Sequence, residues 1–217
     1  MLPLDLAGER LLLLPQRAAY LPGHRTLLVA DAHLGKAVSF RRLGVPVPEA
    51  TTAGTLARLD AALAACDDVG RIVFLGDLLH SARAHAAATL AAVRAWRQRH
   101  AALDLELVRG NHDRQAGDPP ADWGVQAVDE PLRLGGLALQ HHPQAVAGAY
   151  ALAGHVHPGI VLGGRAHDRM RLPCFHFGRQ VGLLPAFGEF TGLHVVRPQA
   201  GDRVFAIAEA RVVALPG

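Results

Sequence analysis

Lysine is nearly missing from this chain: of 22 basic residues only Lys36 is one, and the rest are arginine. Alongside the abundant Ala, Leu and Gly, that reads as coding bias of a GC-rich genome, so the arginine count says little about nucleic-acid binding. Cysteine is scarce as well. Cys66 and Cys174 lie far apart in sequence, which excludes a disulfide framework and reads as two free thiols in a reducing compartment. No apolar run approaches the ~20 residues that a membrane-spanning helix needs. Asp5, Glu9 and Arg10 precede the short run 11–14, with no basic segment leading into a hydrophobic one, so no secretory leader is expected. These absences lead to the expectation of a soluble, cytoplasmic protein with no membrane partner.

Present instead are 217 residues, half of them hydrophobic, 19% charged, with a formal charge of +3. That suffices for a well-buried core, and we expect one domain over residues 1–217. The mild positive balance suits an acidic substrate without requiring one. Runs at 11–14, 26–30, 71–75 and 103–108 read as buried strands. Between them, 51–66 carries Leu56, Leu59 and Leu63 at helical spacing, and 84–99 carries Leu90, Val93 and Trp96. Strand–helix–strand–helix–strand is the pattern of a parallel sheet with crossover helices. After residue 100 the character changes: short strands at 132–140, 150–153, 160–162, 172–177, 193–196 and 204–208 predict a second, more antiparallel sheet. The expected class is α/β, two sheets face to face, with helices outside at least the first.

Five short segments each follow a predicted strand: Asp31-Ala32-His33, Gly76-Asp77, Gly110-Asn111-His112-Asp113, His141-His142 and Gly154-His155-Val156-His157. Sites in open α/β folds gather at the carboxyl ends of strands, so these tips can converge. Their residue types are those of a metal centre, because hard cations take oxygen and imidazole suits Mn, Fe, Ni and Zn. Asp31 and His33 are two apart, as are His155 and His157, so each pair can face one side of an extended segment. Asp77 can bridge two ions, and Asn111 adds a neutral oxygen. Seven donors around two ions leave room for a bridging, hydroxide-like water and a phosphate, which is the arrangement for attack on phosphorus in line with the leaving group. His112, adjacent to Asn111, points elsewhere and is placed to protonate the leaving oxygen or steady the phosphoryl charge, with Asp113 orienting it. His80 is either a substrate contact or loop packing. Lys36, Arg41 and Arg42 are candidate phosphate contacts. Phe187 and Phe190 read as core residues rather than as platforms for stacked bases.

The order Asp-x-His, Gly-Asp, Gly-Asn-His-Asp, His, Gly-His-x-His resembles the calcineurin-like metallophosphoesterase superfamily. The resemblance implies a four-layer α/β/β/α sandwich. It also implies one metal held by Asp31, His33, Asp77 and His157, a second held by Asp77, Asn111, His141 and His155, and His112 as the catalytic histidine. A narrower match runs over nearly the whole chain. Residues 30–36, Phe40-Arg41-Arg42, Gly44-Val45-Pro46, Leu75 to His80, His155-Val156-His157-Pro158 and the segment 184–192 resemble the bacterial DNA-ligase-associated metallophosphoesterases. That similarity implies a manganese-dependent phosphodiesterase or DNA endonuclease, with Fe, Zn or Ni also tolerated. It implies single-stranded or damaged DNA as substrate and a ligase, a helicase and an exonuclease as companions in repair. His142 stands where the pattern has an acidic residue, so either of His141 and His142 can be the ligand; His141, directly after the strand, is favoured. A phosphomonoesterase or nucleotide hydrolase on the same scaffold is the alternative, and a non-catalytic binding subunit is a second. Oligomeric state is not legible, and a homodimer stays open.

Overall fold

The computed structural model describes residues 1–42, 51–163 and 169–216. The first sheet has seven strands in simple sequential order: β1 (Leu2–Leu6), β2 (Glu9–Leu13), β3 (Ala19–Leu21), β4 (Thr26–Val29), β5 (Arg71–Leu75), β6 (Asp104–Val108) and β7 (Val125–Val128). Strands β1 to β4 pair antiparallel, as short turns permit. From β4 to β7 the pairs are parallel, because crossovers join them. The crossovers contain α1 (Lys36–Arg42), α2 (Thr51–Ala64), α3 (Ala87–Arg99) and α4 (Asn111–Ala116). Helices α2 and α3 send Leu56, Leu59, Val93 and Trp96 against Val29, Phe74 and Leu107 of the sheet, which is the face their periodicity predicted. Asp60 joins the two helices by accepting hydrogen bonds from Trp96 Nε1 at 2.7 Å and Arg99 Nη2 at 3.0 Å.

The second sheet comprises β8 (Leu132–Leu134), β9 (Leu137–Gln140), β10 (Tyr150–Ala153), β11 (Pro158–Gly163), β12 (Arg169–Phe177), β13 (Val181–Leu183), β14 (His194–Val195), β15 (Arg203–Ala208) and β16 (Arg211–Ala214). The run expected as one strand at 132–140 is folded into a hairpin, β8 against β9, by the left-handed Gly135. The two sheets share a core in which Leu11, Leu28 and Val73 of the first meet Leu139, Leu152 and Phe175 of the second.

One expectation needs correction. The family resemblance implies a helical layer on both outer faces, but among the described residues no helix follows the short turn ending at Trp123. Among the described residues the order is helix, sheet, sheet. Beyond residue 124 the apolar residues recur at the strand period and never at 3.6 over a helix length. The outer face of the second sheet instead carries a small cluster of its own around Cys174, Val196 and Val204.

Candidate metal centre

Parallel pairing sends β4, β5 and β6 to the same edge of their sheet, and β9 and β10 run parallel in the other. The loops that leave these five strands carry all seven predicted donors. Phe187 N–H donates to the Ala30 carbonyl at 2.8 Å and Gly188 N–H to the Asp31 carbonyl at 3.0 Å, so the segment 184–192 buttresses the first loop.

The backbone around the donors is strained. Asp31 (φ 53°), His33 (46°), Asp77 (51°), His155 (69°) and His157 (54°) all lie in the left-handed region. There a non-glycine residue costs ~1–2 kcal/mol, and such strain persists where surrounding structure enforces it, as at functional sites. Glycines provide the space. A Cβ on Gly76 would lie 2.2 Å from His141 Nδ1, one on Gly110 2.3 Å from Asp77 Oδ1, and one on Gly154 2.7 Å from Asp31 Oδ2. Close approach of backbone to ligand is what these positions require.

The donor atoms form two adjoining groups. In one, His157 Nε2 is 3.3 Å from His33 Nε2 and 3.6 Å from Asp31 Oδ1, with Asp77 Oδ2 3.9 Å from His33 Nε2. In the other, His141 Nε2 is 2.9 Å from Asn111 Oδ1, 3.0 Å from His155 Nδ1 and 3.5 Å from Asp77 Oδ1. Asp77 belongs to both. His141 Nδ1 faces the Leu75 carbonyl at 3.1 Å. A carbonyl only accepts, so Nδ1 carries the proton and Nε2 of the neutral ring presents a lone pair. Carboxylate and amide oxygens present lone pairs too, and acceptors aimed at one point repel unless a cation lies among them. Donors ~2.0–2.2 Å from an ion stand ~2.8–3.6 Å apart at adjacent tetrahedral or octahedral angles, and all of these separations but the 3.9 Å one fall in that range, so the set suits divalent cations.

Electrostatics agree. Asp31, Asp77 and His141 are fully or almost fully buried. Burial pushes the Asp77 carboxyl up, against the hydrogen bond it accepts from His112 N–H at 2.9 Å, and the Asp31 carboxylate adds to the rise. Burial also pushes His33, His141 and His155 down, which keeps their imidazoles neutral and available as ligands.

His142 lies beside this centre, its ring 4.9 Å from that of His141 and 5.0 Å from that of His155, but a carboxylate holds one of its ring nitrogens. Its Nδ1 pairs with Glu130 Oε1 at 2.7 Å, while the other Glu130 oxygen accepts the His141 and His142 N–H groups at 2.8 and 3.1 Å. His141 is therefore the one facing Asp77 and Asn111. Glu130 had no signal in the sequence, because its partners are set by the β9 register and not by any motif.

His112 lies at the mouth. Its Nδ1 donates to the His80 carbonyl at 2.7 Å, its ring stacks on His80 with centroids 5.1 Å apart, and its Nε2 is 3.9 Å from Asp77 Oδ2. Asp113 does not orient this ring as expected. Its buried carboxylate accepts the Leu79 and Gly110 N–H groups, each at 3.0 Å, and so ties the Asp77 loop to the Asn111 loop. His80, pushed down to about 4 by burial and then by Lys36 and His112, stands with His33 and His112 in a histidine trio. Lys36 is half-buried. Its amine lies 5.6 Å from the Phe40 ring centroid, and burial lowers it against the pull of Asp31 and Asp77. Arg41 is exposed on α1, and the Arg42 side chain and residues 43–50, with Gly44-Val45-Pro46, lie outside the described residues. Phe187 is core, as expected, but Phe190 is 58% exposed.

No protein-family model and no curated protein sequence matches the chain. Among solved structures it is similar to the Pseudomonas putida nuclease MPE, with 48% identity over 99% of both chains and a TM-score of 0.87. A protein of unknown function from Aquifex aeolicus aligns over 61% of this chain and 78% of its own at 16% identity and a TM-score of 0.41, too loose a likeness to argue from.

Proposed function

Since the chain belongs to the calcineurin-like metallophosphoesterases, in their bacterial DNA-ligase-associated group, we propose that it is a nuclease, hydrolysing phosphodiester bonds of DNA with two divalent cations. The observation that carries this reading is the lone-pair convergence at Asp77, where one carboxylate offers an oxygen to each of two donor groups. Manganese heads the candidate metals, with Fe, Zn and Ni compatible with the same donors. The DNA is single-stranded or damaged, and a ligase, a helicase and an exonuclease are the functional companions that the family suggests.

When bound, the cations supply charge neutralisation and an activated water near neutral pH. The chain supplies the rest. Asp31, His33 and His157 would hold one ion and Asn111, His141 and His155 the other. Asp77, held by the His112 N–H, would be shared between them. With Nδ1–H committed to the His80 carbonyl, His112 keeps Nε2 for the substrate, where its imidazolium form would donate a proton to the leaving oxygen or steady the phosphoryl charge. Lys36, within electrostatic reach of Asp31 and Asp77, is the candidate contact for a non-bridging phosphate oxygen.

The test is a metal-free preparation reloaded with Mn, Ni, Co, Zn or Mg. Each form is assayed on an aryl phosphodiester, an aryl phosphomonoester and circular single-stranded DNA. Cleavage of the circle is expected with Mn. Turnover of the monoester alone would replace the nuclease reading by a phosphomonoesterase.

A further inference from the structure

Phe190 is an apolar side chain where neither packing nor backbone favours one. It is 58% exposed, and its φ of 55° is a conformation that Gly or Asn adopts with far less strain than a bulky aromatic. In a chain with 5% aromatic residues this placement asks for a reason.

Its position supplies one. Gly188 N–H donates to the carbonyl of Asp31 at 3.0 Å, and His194 N–H donates to the carbonyl of His157 at 2.9 Å. The segment between them therefore spans from the backbone of one candidate ligand to that of another. It is held in place. A Cβ on Gly188 would meet the Ala32 carbonyl at 2.4 Å, and Thr191 Oγ1 bonds back to the Gly188 carbonyl at 3.1 Å. Glu189 turns toward α2, where Arg58 Nη2 lies 3.5 Å from its carboxylate. Phe190, next along, is left to solvent. Two residues extend by at most ~7 Å, so the Phe190 backbone stays that close to Gly188, which is bonded to the Asp31 carbonyl.

We infer that Phe190 is a stacking platform for a nucleobase of the bound strand, next to the phosphate being cut. The inference rests on the nuclease reading above. An exposed aromatic face on a braced loop takes any base, since every base has a π-face, and so contributes affinity without sequence preference. It also explains why the loop supports a large ring at a strained torsion: the ring's partner arrives with the substrate.

The experiment compares kcat/KM on single-stranded DNA with kcat/KM on the aryl phosphodiester for wild type, Phe190→Ala, Phe190→Leu and Phe190→Trp, all loaded with Mn. Stacking of one base is lost by ~5- to ~100-fold on alanine substitution, so the DNA-to-diester ratio falls by that factor in Phe190→Ala, mainly through KM. Leu leaves it low and Trp restores it. A series of oligonucleotides carrying one abasic site should contain a position that penalises wild type and not Phe190→Ala. A ratio unchanged within ~2-fold in Phe190→Ala overturns the platform while leaving the nuclease reading intact, as does full rescue by Leu. A wild type that turns over the diester and leaves DNA uncut removes both. An unchanged ratio with a lower sedimentation mass for Phe190→Ala would assign the ring to self-association instead.

Discussion

His112 and Asp113 are neighbours in sequence with separate tasks. His112 is half-exposed and gives one ring nitrogen to the site, whereas Asp113 is buried and satisfies two backbone N–H groups. His112→Ala should retain bound metal and its melting temperature while kcat falls ~10²- to 10⁴-fold, the usual worth of a positioned acid–base group. Asp113→Ala leaves the Leu79 and Gly110 N–H groups unpaired, at ~1–3 kcal/mol each, and slackens both loops. It should melt earlier and bind metal less fully. Thermal unfolding, metal analysis and steady-state kinetics on the two variants check this, and an intact kcat in His112→Ala would remove that residue from the chemistry. The residue types at these positions were readable from sequence as donors. The partners were not: a hydrogen bond from Leu79 to Asp113 links two crossovers, and only the packed sheet makes them adjacent.

At the scale of elements, apolar periodicity located β4, β5 and β6, three of the four parallel strands of the first sheet, and two long helices because each buries one continuous face, but it missed β7. It was silent on α4, whose six residues, 111–116, are the ligand loop itself wound into a turn, and on the edge strands β1 and β16. The small apolar cluster on the outer face of the second sheet has a measurable consequence at β12. Cys174 is fully buried there between Val196 and Val204, and burial pushes its thiol up to about 12. A folded-state value above the ordinary one, near 8.5, means that the native form holds a proton which the unfolded chain releases. That contribution is complete below pH ~8.5 and is lost as pH rises toward 12, at up to ~1.4 kcal/mol per pH unit. Melting temperatures should therefore fall from pH 8.5 to 10.5, and Cys174→Val should flatten the decline. An equal decline in the variant would place its cause elsewhere.

Across the whole molecule the centre is a clasp: Asp31, His33, Asp77 and Asn111 come from the first sheet and His141, His155 and His157 from the second. Ions that bind this arrangement and not the unfolded chain add stability by mass action, ~2.7 kcal/mol for each site at a hundred times its dissociation constant. Chelation should lower the melting temperature and speed hydrogen exchange at residues 31–33 and 154–157, with Mn restoring both and Asp77→Ala abolishing the response. Exchange unaffected by chelation would mean that the loops are held by protein contacts alone. By itself the sequence determined which residues offer donor atoms, the order of their motifs and the strands that precede them. Those properties are local, set by residue type and by a period of two or of 3.6. Only the tertiary structure decided that Asp77 faces both donor groups, that His141 and not His142 faces Asp77 and Asn111, that no helix covers the second sheet among the described residues, and that Phe190 lies in solvent beside the candidate ligand loops. Each of these depends on which strands pair, in what register and on which face, which is set by burying both sheets against one another and is written in no single segment.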